Sequence, residues 1–427
     1  LSKIEKPVCI GIDFGTTNTC VAVLEKNGKA RVLNIDPTSS DPRLIKTLLY
    51  FPNRKEAFFG KQAIEQYFER GMEGRFFQSI KRLLPNSEFT GTSLFGSHMG
   101  VEEFIARFLQ ELKNRIEKEV GPTEGIPIHI GRPARYSQDS AKEGLAVVRF
   151  KHALANVGWE HARLIEEPVA ASATNPSQNH AMTLVADLGG GTSDFTIFKI
   201  ESELKSQTFA VHGIPTAGDA LDSDFFEAKL FEPFGAKIQY QRPFSSNILT
   251  LPPNLIRLLP KWHHHGFLRD KATWNFILDL RKELVDPTQK PQLENLITLV
   301  EENLGYKLHL EVERIKIELS EKEKEAFLFK SYPIHIGFDV SKKDFNSIIE
   351  HNVNEIVKTA VETCRIGKLG VEEIEVLQMT GGTSKVPLVR AALKQAFPKA
   401  KLIDHETFTA VAEGLALLGK TMEVRYS

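Results

Sequence analysis

VCIGIDFGTTNTCVAVLE (8–25) and MTLVADLGGGTSDFTIFKIE (182–201) follow one plan. Each opens with an apolar run rich in Val and Ile, and each places an Asp near the end of that run, Asp13 or Asp187. Each then turns on Gly and Thr and returns at once in a second apolar run. Such runs between turn signals predict strands. A third run follows in both cases: ARVLNI after the Asn27-Gly28 turn, and QTFAVHGIP. Two copies of strand–turn–strand–strand predict a gene duplication and two similar lobes around a cleft.

Helical patterns follow each copy. In VEEFIARFLQELKNRIEKEV (101–120), Val101, Phe104, Ile105, Phe108, Leu109, Leu112 and Ile116 fall on one face, with charges opposite. Residues 126–131 read as a buried strand and 139–158 as a helix with an Asp or Ser cap and a Gly stop. In ARLIEEPVAASATN a strand gives way to a helix at Pro168. The second half predicts a long helical region over 293–319, a strand over 373–380, a helix over 384–397 and a closing helix in TFTAVAEGLALLG. Alternating strands and helices predict an α/β fold with a mixed five-stranded sheet in each lobe. The expected division is 1–180 for lobe I, joined by the closing segment 404–427, and 181–403 for lobe II. Residues 233–292 are the least readable; KWHHHG (261–266) there reads as an exposed loop, since adjacent His residues chelate one ion poorly.

Composition sets outer limits. Lys plus Arg number 54 and Asp plus Glu 55, so no global charge draws the chain to nucleic acid or an anionic membrane. No apolar run reaches the roughly 18–20 residues of a membrane helix. Cys9, Cys20 and Cys364 show no paired spacing and read as free thiols in a reducing compartment, with the cytoplasm expected. The 28 Phe residues read as core.

The chemistry gathers at the glycine turns. Gly15 lets the backbone approach an anion, and successive N–H groups with the Thr16 and Thr17 hydroxyls can wrap a phosphate. Gly189, Gly190, Gly191 and Thr192 repeat the design. One such turn is ordinarily just a hairpin; two at matching places suggest a polyphosphate ligand. Asp13 and Asp187 then suit a hard cation such as Mg²⁺, held through carboxylates, phosphate oxygens and water. Their bland reading is turn capping. A third glycine turn, Gly381-Gly382-Thr383, opens the helix expected over 384–397. No GxxxxGK[ST] and no complete dinucleotide fingerprint is present.

IGIDFGTTNTCVAV, LIEEPVAASA, VADLGGGTSDFTIF and MTGGTSKVPLV resemble, in this order, the phosphate, connecting and adenosine motifs of the actin, hexokinase and seventy-kilodalton heat-shock ATPase superfamily. The first motif is closest to the DnaK-type chaperones, and the resemblance spans roughly 8–420. It implies an actin-like ATPase fold of two ribonuclease-H-like lobes that binds ATP or ADP with Mg²⁺ and hydrolyses ATP slowly. Carried over residue by residue, Thr16 and Thr17 would hold the β- and γ-phosphates. Asp13 and Asp187 would contact the Mg²⁺ shell. Lys81, in FQSIKRLL, matches the catalytic lysine, and Glu167 matches an acidic residue that places metal waters and the nucleophile. Thr192 and Asp194 match γ-phosphate and water-orienting residues, and Gly218 a glycine turn near the phosphates. Glu313, Lys316 and Ser320 match ribose and adenine contacts; Gly381, Gly382 and Thr383 match the adenosine motif.

The departures are specific. Ile317 and Lys385 stand where the family usually stacks adenine between two arginines, so base affinity is expected to differ. Phe408 replaces an acidic residue of the last helix, and IGRP (130–133) replaces TVPA. These features resemble the short YegD-type branch. No segment matches an interdomain linker, peptide-binding β-sandwich or helical lid, and the YegD-like features favour a naturally lidless homologue over a cut chain. The expected function is a monomeric ATP-driven switch of lobe closure, read by a protein partner or co-chaperone docking on the lobes. The alternatives are a non-catalytic nucleotide-dependent scaffold and a small-molecule kinase of the same superfamily. A kinase needs a base for a substrate hydroxyl, and the sequence offers no distinct candidate.

Overall fold

The computed structural model describes residues 5–133, 135–137, 139–174, 181–202, 205–404 and 409–420. Two sheets organise them. The first contains β1 (Cys9–Phe14), β2 (Asn18–Leu24), β3 (Ala30–Val32), β4 (Leu44–Lys46), β5 (Ile128–Arg132) and β6 (Arg163–Glu166). Its order is β6-β5-β1-β2-β3, with β4 also paired to β2. The second contains β7 (Thr183–Leu188), β8 (Ser193–Ser202), β9 (Lys205–Ile214), β10 (Val376–Thr380) and β11 (Lys401–Asp404), in the order β9-β8-β7-β10-β11. In each, the leading strand runs antiparallel to the next strand and parallel to one from much later in the chain. Parallel pairing needs a crossover. Helices Val101–Val120 and Lys342–Ile366 lie on those return paths. The first sheet has six strands where five were expected, because Leu44–Lys46 turns back to pair with the start of β2.

Burial explains the strand composition. Cys9, Ile10, Ile12 and Phe14 of β1 are all fully buried, so this strand is apolar on both faces. Ile10, Ile12 and Phe14 join a core with Phe104, Phe108 and Leu112 of the helix Val101–Val120. The opposite face meets the helix Ala410–Leu417, where Ala412 and Ala416 pack with Cys9, Cys20 and Ala22. That crossing is close. A Cβ on Gly11 would lie 2.3 Å from the Ala412 carbonyl oxygen, and one on Gly414 would run into the Ala170 carbonyl. The small residues of AVAEGLAL therefore serve the contact as well as the helix. The second sheet has its own core, built from Leu184, Leu188, Phe195 and Ile197 with Phe225, Ile349 and Val353.

Three local expectations are corrected. KWHHHG is not an exposed loop. Trp262–His264 is a short 3₁₀ turn and His265–Leu268 a helical turn, with Trp262 and His265 buried. Trp262 lies 5.3 Å from Phe68, 5.6 Å from Phe76 and 5.2 Å from Tyr306, ring centre to ring centre. Burial of those rings outweighs the polar character of the neighbouring His residues. The helical region over 293–319 is two helices, Lys290–Glu301 and Gly305–Glu321, broken where Asn303 takes a φ of 55°. A Cβ on Gly305 would strike the His265 ring at 2.3 Å, so the break and the buried His fit together. The helix after the third glycine turn begins at Pro387, because Gly382–Lys385 forms a 3₁₀ turn first. Phe408 and residues 421–427 of the closing segment lie outside the described residues.

Candidate functional site

The turn after β1 and the turn after β7 meet. Thr17 Oγ1 lies 3.7 Å from the position a Cβ of Gly189 would take. The first turn is tied down from outside, since Thr47 N–H donates to the Thr17 carbonyl at 2.8 Å. The second is closed on itself and its neighbours. Gly189 N–H donates to the Thr192 carbonyl at 3.0 Å, and Asp219 N–H donates to the Gly190 carbonyl at 2.7 Å. Thr383 Oγ1 donates to the Gly189 carbonyl at 2.7 Å, which joins the third glycine turn to the second. Gly381 has a φ of 83°, and a Cβ there would meet the Leu188 carbonyl oxygen at 2.2 Å. Glycine is required by both measures.

Lys81 follows Ser79, which takes the left-handed conformation, and sits in the turn Ile80–Leu83. Its side chain is buried, and Nζ donates to Glu167 Oε1 at 2.7 Å. Glu167 is the first residue of the helix Glu167–Ala173, directly after β6. Gly131 on the adjacent strand leaves room for it: a Cβ there would come 3.1 Å from Glu167 Cγ. Asp13 and Asp187 project from the ends of β1 and β7, and Thr380 Oγ1 donates to Asp187 Oδ1 at 3.0 Å.

These groups feel one another. Burial, the Glu167 charge and the Asp187 charge push Asp13 up to about 8, against the pull of Lys81. Asp187 is pushed to about 6 by burial of its carboxyl and by Asp194 and Glu167, with the Thr380 hydroxyl and Lys81 opposing. Asp194 is raised by burial, while Thr192, Arg82 and Lys81 hold it down. Burial would lower the Lys81 ammonium, but Glu167, Tyr136 and Asp13 together hold it above the ordinary lysine range. Asp187 and Asp194 are nonetheless partly open to water. Four carboxylates thus share Lys81 and Arg82, a surplus of acid that a cation would relieve. Among the described residues, no three His, Cys, Asp or Glu side chains converge for direct ligation.

The remaining named residues lie on the second-sheet side. Lys316 Nζ donates to Asp222 Oδ2 at 2.6 Å, and Nζ is 3.5 Å from a Cβ position on Gly218. Thr383 Oγ1 is 2.8 Å from that same position. Glu313 and Ser320 share the Lys316 helix, and Ser320 Oγ donates to its own helix at the Lys316 carbonyl, 3.0 Å. Ile317, Gly382 and Lys385 are exposed, and Thr16 and Gly15 are half-buried. Gly190 and Gly191 flank Asp219, whose carboxylate comes within 3.0 Å of a Cβ position on Gly190. Sequence reading missed Arg82, Asp219, Asp222, Thr380 and Tyr136. Arg82, Thr380, Asp219 and Asp222 lie inside the segments FQSIKRLL, MTGGTSKVPLV and TAGDALD and were findable; Tyr136 depends on which chain segments pack together.

The family described as Hsp70 protein matches residues 289–425, from the helix Lys290–Glu301 through the third glycine turn to the closing helix. Over these residues the chain is similar to the Hsp70 family. That similarity, with the mixed α/β architecture, is consistent with an actin-like ATPase fold. Hsp70 family proteins are ATPases that bind ATP or ADP with Mg²⁺. No helix among the described residues is long and apolar enough to cross a membrane.

Proposed function

We propose that the chain is a slow Mg²⁺-dependent ATPase whose two lobes, 1–180 with the closing segment 404–427 and 181–403, arose by duplication and close on the nucleotide. The observation that carries this reading is the meeting of the two glycine turns beside the buried Lys81–Glu167 pair. Thr16, Thr17, Gly15, Gly189, Gly190, Gly191 and Thr192 offer N–H groups and hydroxyls to the phosphates. Lys81 neutralises charge developing on the γ-phosphate, and Glu167 with Asp194 orients the attacking water. A bound Mg²⁺, held by Asp13 and Asp187 through water, would supply charge neutralisation at the phosphates. Gly218, Glu313, Lys316, Ser320, Gly381, Gly382, Thr383 and Lys385 form the nucleoside side of the cleft.

Nucleotide touches residues from both lobes, so binding energy gained only in the closed cleft shifts the open–closed equilibrium. That movement is the natural signal to a protein partner or co-chaperone. A single-chain, cytoplasmic protein of the short YegD type fits this reading, and so do three buried thiols, Cys9, Cys20 and Cys364. The deciding experiment is phosphate release from ATP with no second substrate, with and without Mg²⁺. Release that needs Mg²⁺ supports the reading. Tight ATP binding without release favours the scaffold alternative, and release only in the presence of a sugar favours the kinase. Small-angle scattering with ATP analogue, ADP and no nucleotide tests closure; identical profiles would remove the switch.

A further inference from the structure

One buried phenol, Tyr136, has nothing to bond. The Tyr136 hydroxyl is buried and has no hydrogen-bond partner among the described residues. A buried polar group left unpaired is costly, and such groups ordinarily find a partner. The ring is held firmly in place. Tyr136 N–H donates to Glu143 Oε2 at 2.6 Å, and Glu143 is itself paired with Arg132 at 3.1 Å. The Arg132 guanidinium lies 5.9 Å from the centre of the Tyr136 ring. The ring packs on the core that includes Ile80 and Leu84, which flank the Lys81 turn.

Topology explains why the phenol is here. Arg132 ends β5 and Glu166 ends β6, and the two are register partners. Tyr136 follows one strand end and Glu167 the other, so both emerge at the same edge of the sheet. The Glu167 charge raises the Tyr136 phenol, and Tyr136 in turn acts on Lys81. Burial, with Glu167 and Glu143 reinforcing it, keeps the phenol protonated against the pull of Lys81 and Arg132. At working pH it is therefore an O–H donor and not an anion.

Lys81 Nζ is hydrogen-bonded to Glu167. The proposed hydrolysis asks the same ammonium to turn toward the γ-phosphate, which weakens its hold on a half-buried carboxylate. We infer that Tyr136 is a positioning residue: its O–H donates to Glu167, directly or through one buried water, when Lys81 turns to the phosphate. Glu167 then stays oriented while Lys81 serves the reaction. This inference rests on the ATPase reading above.

The test is Tyr136→Phe, which removes only the hydroxyl. Three results are expected. The kcat for ATP falls about tenfold, the scale of one hydrogen bond to a charged group, while KM stays within about twofold. The nucleotide-free protein keeps or gains thermal stability, because an unpaired buried hydroxyl has been removed. In a Glu167→Gln background the same substitution has little further effect on kcat, since the two residues act as one unit. Unchanged kcat in Tyr136→Phe overturns the inference alone. A parallel loss of kcat and thermal stability also overturns it, by making the hydroxyl structural. Additive losses in the double variant overturn it by placing Tyr136 outside the Glu167 unit. Absence of any ATP turnover in the unmodified protein overturns the ATPase reading and this inference with it.

Discussion

The turn after β1 and the turn after β7 use the same residue types under different constraints. A Cβ on Gly15 would lie 2.2 Å from the Asn18 carbonyl oxygen, inside its own turn. A Cβ on Gly189 would meet nothing closer than 3.6 Å. Gly15 is therefore required by the first turn itself, whereas Gly189 keeps open the space that Thr17 faces. The carboxylates differ in the same sense. Asp13 sits half-buried between Glu167 and Asp187 and is pushed to about 8, while Asp187 faces water, accepts a bond from Thr380 and reaches only about 6. Near neutral pH Asp187 is thus charged, while Asp13 tends to keep its proton. Matching sequence patterns do not imply matching electrostatics; the neighbours decide.

The largest expected effect falls on the cation both turns share. Lys81→Ala should lower single-turnover hydrolysis by roughly 10²–10³, the usual loss for an electrostatic contact made at the transition state, with ATP binding largely kept. A rate equal to wild type would show that neither turn depends on Lys81 for chemistry. The turns themselves separate next. Gly15→Ala should cost about 1–3 kcal/mol in chemical denaturation, because the first turn must open to admit the methyl group. Gly189→Ala should leave folding stability nearly unchanged and weaken nucleotide binding instead, measured by calorimetry. Equal stability losses would erase the distinction drawn between the two turns.

A smaller effect concerns pH. Asp13 in the folded protein, at about 8, holds a proton that the unfolded chain releases near 3.8. Its contribution to stability therefore declines as pH rises through that interval. Asp187 contributes the same sign over the shorter interval from 3.8 to about 6. Thermal unfolding of nucleotide-free protein should show Asp13→Asn gaining stability over wild type progressively up to about pH 8. The gain in Asp187→Asn should level off near pH 6. Reversed order would mean that the environments of the two carboxylates have been exchanged in this account. The smallest expected change lies away from both turns. Ile317 is exposed on the Lys316 helix, and under the proposed nucleotide reading Ile317→Arg should tighten ATP binding by roughly two- to fivefold through cation–π stacking. The phosphate contacts of both turns should be untouched, so pyrophosphate binding should not change.

Much of this was legible in the chain. VCIGIDFG and MTLVADLG read as strands because an apolar run rich in β-branched residues leaves a strand signature whatever it packs on, and both form the leading strands of sheets. The helix Val101–Val120 was legible from its spacing alone, and its predicted apolar face is the buried one. KWHHHG misled because its polar letters outnumber its one Trp, and only the rings of Tyr67, Phe68, Phe76 and Tyr306 show why that Trp is buried. Lys81 and Glu167 were both named from motifs, but their 2.7 Å bond joins segments far apart in the chain. Tyr136 carried no signal at all, since an unpaired hydroxyl is defined by what fails to surround it.

By itself, the sequence determined the strands, the glycine turns and the residue types that can face a phosphate, because those depend on backbone freedom and local periodicity. Tertiary structure alone decided the ionisation of Asp13 and Asp187, the Lys81–Glu167 pair and the seat of Trp262. Each of these depends on charges and surfaces brought together from distant parts of the chain, and the strength of such contacts is set by distance and burial, which no local pattern records.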